Sequence, residues 1–274
     1  MGLTIKVHNR LLDLSSPKVM AIVNVSPDSF YTSCGDVCAE ELCDRVGLLL
    51  QEGADIIDIG GCSTRPGSTP IDADEEWGRL SGALRAIRVR FPEAVLSVDT
   101  FRAEVAEKAI QAGADIINDV YGGEADCNMW KVVASYQTPY VLTLAQGLHK
   151  GSENGYDYTM SDVVEFFQNK LDALHRMGVA DVIIDPGFGF GKDMDQNYAI
   201  LRQLGLLSVL HAPILVGISR KSMLYKPLGL TPSDVLPATI AANTLALERG
   251  AHILRVHDVA AAKQAITIYS LTHT

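Results

Sequence analysis

One short phrase recurs four times along the chain. It reads Gly53-Ala-Asp-Ile-Ile-Asp58, Gly113-Ala-Asp-Ile-Ile-Asn118, Gly178-Val-Ala-Asp-Val-Ile-Ile-Asp185 and Gly250-Ala-His-Ile-Leu-Arg255. Each glycine ends a helical pattern, because glycine reaches the positive φ of a helix stop without a Cβ clash. Each apolar run that follows is nearly unbroken and ends on a polar residue. Such runs suit strands buried on both faces of a parallel sheet. The glycines stand 60, 65 and 72 residues apart. A strand with its returning helix takes about 30 residues, so each interval holds two units. Apolar runs at 94–98, 140–144 and 213–217 supply the intervening strands, and 19–25 precedes the first. Helical patterns lie between them, over 40–51, 104–111, 161–177 and 232–248. The expected fold is α/β: a (β/α)8 TIM barrel, one domain across residues 1–274. A doubly wound open sheet fits less well, since no Gly-x-Gly-x-x-Gly turn follows the first strand.

Charge narrows the partners. Lys and Arg number 23 against 33 Asp and Glu, a net charge of −10. A nucleic-acid-coating protein needs a surplus of cations, so that class is excluded. A small anionic ligand needs only a local cluster of them. No apolar run approaches the roughly 20 residues of a membrane span, so no membrane partner is expected. Residues 1–10 lack a signal peptide's apolar stretch. Five cysteines, an odd and sparse set, fit a reduced cytoplasmic setting. Cys34, Cys38 and Cys43 cluster, but no second ligand pair follows as in a zinc site. Small buried hydrophobes are the favoured reading.

In a TIM barrel the active site gathers at the C-terminal ends of the strands. Those ends carry Asn24, Asp58, then Ser63, Thr64 and Arg65 just beyond, Asp99, Asn118, Asp119, Thr143, Asp185, Ser219 to Lys221, and Arg255 to His257. One polar strand end can simply cap the next helix; eight in phase point to a ligand site. Arg65, Lys221, Arg255 and His257 suit an anionic group such as phosphate. Asp99, Asn118 and Asp185 suit the planar N–H edge of a nitrogen heterocycle. The glycines of Asp185-Pro-Gly-Phe-Gly-Phe-Gly-Lys192 allow backbone to approach a ligand, and Phe188 or Phe190 can supply an aromatic wall.

Seven motifs in order carry a family resemblance. They are Asn24-Val-Ser-Pro-Asp-Ser-Phe30, Asp58-Ile-Gly-Gly-Cys-Ser-Thr-Arg-Pro-Gly67, Ser97-Val-Asp-Thr100, Asp115-Ile-Ile-Asn-Asp119, Asp185 to Lys192, Ser219-Arg-Lys-Ser222 and Arg255-Val-His-Asp258. Together they resemble the dihydropteroate synthases, from about residue 19 to 268. The resemblance implies a folate-pathway transferase, commonly a homodimer and a sulfonamide target. It would join 7,8-dihydropterin-6-ylmethyl diphosphate to 4-aminobenzoate. It further implies that Asp99, Asn118, Asp185 and Lys221 hold the pterin. Asn24, Thr64, Arg65, Arg255 and His257 would hold the diphosphate, with Mg²⁺ at Asn24. Arg65, Pro66, Phe190, Ser219 and Lys221 would border the aminobenzoate. Asp99, Asp185, Lys221 and Arg255 would carry the chemistry.

The sequence departs from the family pattern in three places. Residues 31–35 replace an Asp-Gly-Gly, Cys62 stands where many members have Glu, and Thr143-Leu144-Ala145 replaces Met-His-Met. The rival readings are a non-catalytic pterin-binding paralog and a methyltetrahydrofolate-binding methyltransferase barrel.

Overall fold

The computed structural model describes residues 3–7, 10–25, 35–62, 71–145 and 159–273, with the side chains of 35–38 left aside. A hairpin of β1 (Thr4–Val7) and β2 (Arg10–Asp13) comes first. Strands and helices then alternate: β3 (Lys18–Asn24), α1 (Gly35–Gln51), β4 (Ile56–Gly60), α2 (Ala73–Arg90), β5 (Val95–Asp99), α3 (Ala103–Gln111), β6 (Ile116–Asp119) and α4 (Met129–Tyr136). They continue as β7 (Tyr140–Thr143), α5 (Met160–Arg176), β8 (Val182–Asp185), α6 (Met194–Gln203), a 3-10 helix (Leu204–Leu210), β9 (Leu215–Val216), α7 (Ser222–Leu228), α8 (Leu236–Leu247), β10 (Ile253–Val256) and α9 (Val259–Thr272). The eight strands β3 to β10 pair in parallel in the order β8-β7-β6-β5-β4-β3-β10-β9. A parallel bridge between Ile184 and Ile214 joins the two edges, with the Ile184 N–H donating to the Pro213 carbonyl at 2.9 Å. The ring is the expected (β/α)8 barrel.

The repeated glycines stop helices as their sequence setting implies. Gly53, Gly113, Gly178 and Gly250 all have φ between 87° and 102°. In each case the glycine N–H returns to the carbonyl three residues back, and the next N–H to the carbonyl five back, as with Gly53 to Leu50 and Ala54 to Leu49. That double bond satisfies carbonyls a helix end leaves open. The polar residue just beyond does a second job. Asp55, Asp115, Asp181 and His252 accept the backbone N–H of Val19, Leu96, Lys6 and Ile214, at 2.8, 2.8, 2.9 and 3.1 Å. Each therefore ties one unit to another strand near its start.

Strand side chains alternate between two faces. Outward residues such as Val19, Ala21, Ile57, Leu96, Ile117, Leu142, Ile184 and Leu254 pack beneath the helices in the main core. The inward face is apolar at the bottom, where Met20, Ile56, Val95, Ile116, Val141, Ile183, Leu215 and Ile253 form one layer, a residue from each strand. Ile5, Val7 and Leu14 complete that layer, so the N-terminal hairpin plugs the lower mouth. The sequence reading had no role for this segment. Its residues are spread over two short strands and a turn, too few to show a period.

Ile5 is 1% exposed and lies at the end of the barrel away from the strand C-termini. Ile5→Ala should therefore lower the unfolding free energy by about 2–5 kcal/mol in urea titration, by the usual cost of a core truncation. A loss below about 0.5 kcal/mol, typical of a surface change, would show that the hairpin is no part of the core.

Candidate active site

Two residues further up six of the eight strands, the same inward face turns polar: Asp58 above Ile56, Ser97 and then Asp99 above Val95, Asn118 above Ile116, Thr143 above Val141, Asp185 above Ile183, Arg255 above Ile253. Residues i and i+2 share a face of a strand, so the site is the upper half of the barrel's own interior. Arg255 holds it together. Its Nε donates to Asp58 Oδ2 at 2.7 Å and its Nη2 to Asp99 Oδ2 at 2.6 Å. Asn118 Nδ2 donates to the same Asp58 Oδ2 at 3.0 Å.

Burial governs the charges. It pushes the Asp99 carboxyl up to about 7; Arg255 opposes the rise, and Asp58, Glu76 and Asp119 reinforce it. Burial also raises Asp185, against Lys221, the Gly187 N–H, Arg255 and Lys192. It lowers Lys221 to about 8 against the pull of Asp185. Burial lowers Arg255 too, yet Asp58 and Asp99 outweigh it and the pKa rises. Asp58 Oδ1, Ser97 Oγ and Thr143 Oγ1 are buried and have no hydrogen-bond partner among the described residues. Native interiors seldom leave such atoms unpaired, and three on one inward face mark where a polar ligand fits.

The loop after β8 forms the next wall. Gly187 N–H donates to Asp185 Oδ1 at 2.8 Å. Gly187 has φ 68°, and a Cβ there would stand 2.1 Å from the Leu144 carbonyl oxygen, so only glycine fits. Phe188 is fully buried, whereas Phe190 is partly exposed and its ring centroid lies 4.4 Å from Lys221 Nζ. Lys221 Nζ also donates to the Phe188 carbonyl. Asn197 on α6 fixes the loop from behind, accepting from the Gly189 N–H at 2.7 Å. Beyond β9 and β10, Ser219 Oγ and His257 Nδ1 are 2.9 Å apart. Next to them Arg220 makes a two-pronged ion pair with Asp258, at 3.1 and 2.6 Å. Asn24 closes β3 beside Gly60, its Oδ1 3.7 Å from where a Gly60 Cβ would be.

The structure thus brings Asp99, Asn118, Asp185, Lys221, Arg255 and Phe190 together, pairs Ser219 with His257, and sets Asn24 next to Asp99 across Gly60. Thr64, Arg65 and Pro66 lie outside the described residues, as do Ser63 and residues 26–34. One difference from the sequence reading is plain. Arg255 was grouped with cations for an anion, apart from the carboxylates; it is joined to two of them. A buried guanidinium needs such partners, because its charge cannot be shed. Asp58 and Lys192 received no role from sequence, although Asp58 sits in phase with inward Ile56. Asp119 turns away, accepting from the N–H groups of Tyr121 and Gly123 and from the Tyr140 hydroxyl. Cys43 packs in the core, and the side chains of Cys34 and Cys38 lie outside the described residues.

A raised carboxyl favours the protonated folded state. Stability from Asp99 is thus full below about pH 4 and is lost as pH rises through about 7. Asp99→Asn should flatten the fall in thermal midpoint between pH 4 and 8. An unchanged slope would contradict the burial of this carboxylate.

Comparison with known proteins agrees with this geometry. The family described as pterin binding enzyme matches residues 20–257. The chain is 37% identical to a dihydropteroate synthase of Escherichia coli (strain K12) over 265 residues, 95% of this chain and 93% of that protein. A solved Xanthomonas albilineans dihydropteroate synthase with 4-aminobenzoic acid superposes with a TM-score of 0.88 at 36% identity, covering 100% of this chain and 99% of that one. The same enzyme in complex with 7,8-dihydropteroate gives 0.87 at 34%, covering 99% of each chain. With its barrel, its polar interior and this likeness over nearly its whole length, the chain belongs to the dihydropteroate synthases of the pterin-binding enzyme family.

Proposed function

We propose that this chain joins 7,8-dihydropterin-6-ylmethyl diphosphate to 4-aminobenzoate, giving 7,8-dihydropteroate and diphosphate, with the residues divided as follows. The observation that carries the reading is the inward network of Asp58, Asp99, Asn118 and Arg255, with Asp185 and Lys221 beside it. Asp99, Asn118 and Asp185 hold the pterin by its N–H edge. Asp185 can do so while keeping the Gly187 N–H, because an ionised carboxylate has two acceptor oxygens. Arg255 has five N–H donors, and those not given to Asp58 and Asp99 face the diphosphate with His257, Thr64 and Arg65. Phe190, Ser219, Lys221 and Pro66 border the aminobenzoate.

The arylamine is a modest nucleophile, so the enzyme's task is the leaving group. As the C–O bond to diphosphate breaks, positive charge grows on the pterin methylene and spreads into the ring. Asp99 and Asp185, fixed in a dry interior, stabilise that charge without reorganising. The arylamine nitrogen then bonds to the methylene carbon and releases its proton, with no covalent enzyme intermediate.

Magnesium fits as a partner of the substrate more than of the protein. Mg²⁺ keeps most of its ligands as water and phosphate oxygens. Among the described residues no cluster of three or more His, Cys, Asp or Glu could hold a metal, and Asn24 offers one amide oxygen next to Asp99 across Gly60. When bound there, Mg²⁺ supplies charge neutralisation for the departing diphosphate.

Three further readings belong with this function. Arylamine sulfonamides compete with 4-aminobenzoate. A homodimer is supported by Leu245 on α8 and by Ile268 and Leu271 on α9, all exposed, on helices that pack together. A reducing cytoplasmic setting is supported by the free thiols Cys43 and Cys127.

Diphosphate release, measured with and without 4-aminobenzoate, tests the function. Release that requires the arylamine supports it; pterin binding without any release would favour a non-catalytic relative. Asp185→Asn should lower kcat/KM at least about 100-fold while leaving the circular dichroism spectrum unchanged. Turnover within about threefold of the parent would remove Asp185 from its role. Chelation by EDTA should stop release and Mg²⁺ restore it, and Asn24→Ala should raise the Mg²⁺ needed for half-maximal rate by about tenfold.

A further inference from the structure

Lys192 closes the glycine-rich loop by binding its backbone. Its Nζ donates to three backbone carbonyls, Leu144 at 2.6 Å, Gly187 at 2.9 Å and Phe190 at 3.0 Å. An ammonium has three N–H donors, and these three acceptors take them all. Leu144 lies just past β7, while Gly187 and Phe190 lie in the loop after β8. One side chain therefore stitches two neighbouring strand ends. The intervening Phe188 carbonyl goes to a second ammonium, that of Lys221, which reaches in from beyond β9. Space is tight around the stitch: a Cβ on Gly187 would stand 3.2 Å from Lys192 Nζ, and one on Gly189 would stand 2.9 Å from Lys221 Cδ.

We propose that Lys192 is a positioning residue for the aminobenzoate side of the site: by occupying the Gly187 and Phe190 carbonyls it fixes the Phe190 ring and leaves Lys221 aimed past it. The inference rests on the reading that Phe190 and Lys221 border the aminobenzoate. Three things support it. Phe190 is held through its own carbonyl, at the residue whose ring faces Lys221 at 4.4 Å. Asn197 holds the N–H of the preceding residue and, through Nδ2, the Lys192 carbonyl at 3.2 Å, so the loop is clamped from two sides. Burial lowers the Lys192 amine to about 7, with Asp185 opposing the fall and Lys221 adding to it, so its charge is coupled to the site. Without the ammonium, the Leu144 and Phe190 carbonyls lose this donor and the Gly187 carbonyl keeps the Phe190 N–H at 3.1 Å, and Lys221, reaching in from beyond β9, becomes the ammonium able to turn toward them.

Steady-state kinetics of Lys192→Met and Lys192→Arg test the proposal. In Lys192→Met, KM for 4-aminobenzoate should rise at least about tenfold, while kcat and KM for the pterin diphosphate change less than about threefold. Lys192→Arg keeps the charge, but a flat guanidinium cannot aim three donors at a pyramidal set of acceptors. It should recover thermal stability while KM for 4-aminobenzoate stays high. A drop in active fraction with unchanged KM, or full recovery of KM in Lys192→Arg, would overturn it. Hydrogen exchange supplies a readout independent of turnover: Lys192→Met should speed exchange at the Gly189 amide while Val182–Asp185 stays protected. If the parent protein releases no diphosphate, the function falls on that result alone. Unchanged exchange at Gly189 overturns the positioning role whatever the activity.

Discussion

A guanidinium in the middle of a barrel sets the terms for everything above it. Arg255 cannot lose its proton, so the fold must supply counter-charge within reach, and it does so twice, from β4 and from β5. Those carboxylates are then costly in their turn, which is why Asp99 is pushed toward neutrality and why Asn118 is needed as a second donor to Asp58. Replacing such a network by apolar side chains of equal volume would often stabilise a protein. Retaining it makes sense only where the polar atoms left over meet a ligand. The unpaired Asp58 Oδ1, Ser97 Oγ and Thr143 Oγ1 are those atoms.

The two ends of the barrel divide their duties along each strand. On β4, β5, β6 and β8 a shift of two residues takes the inward face from the apolar layer of Ile56, Val95, Ile116 and Ile183 to polar residues. The lower layer is closed by the hairpin, so stability at that end is decoupled from chemistry at the other. The upper end is shaped by backbone that only glycine permits, at Gly187, and by side chains that tie down carbonyls rather than substrate.

Much of this was legible in the chain. The helix-stop glycines announced the unit length, and their spacing announced eight strands, because glycine's φ freedom leaves a mark that context rarely overrides. The ring of polar strand ends was legible for the same reason: one period of two residues separates core from site. Other features leave no local mark. Arg255 reads as a free cation until its neighbours in space are known, and those lie 156 and 197 residues away in sequence. Asp58 was read as a strand end without a role, since its partner is Arg255. Lys192 looks like a loop lysine, because backbone carbonyls have no residue type to recognise. The hairpin plug hides for want of length. Thr64, Arg65 and Pro66 rest on the motif alone, since they lie outside the described residues.

The polar residue after each helix-stop glycine has a consequence for biosynthesis. Asp55 accepts from Val19 N–H and also from Lys263 Nζ at 2.9 Å, so a residue near the start is bonded to the final helix. The same seam is where β10 pairs with β3, Ile253 opposite Lys18. A ribosome-bound chain that has not yet released β10 therefore exposes two raw sheet edges, and until Lys263 emerges Asp55 lacks its counter-ion. Closure comes last, and a truncated translation product would be a target for aggregation and quality control rather than a smaller working barrel.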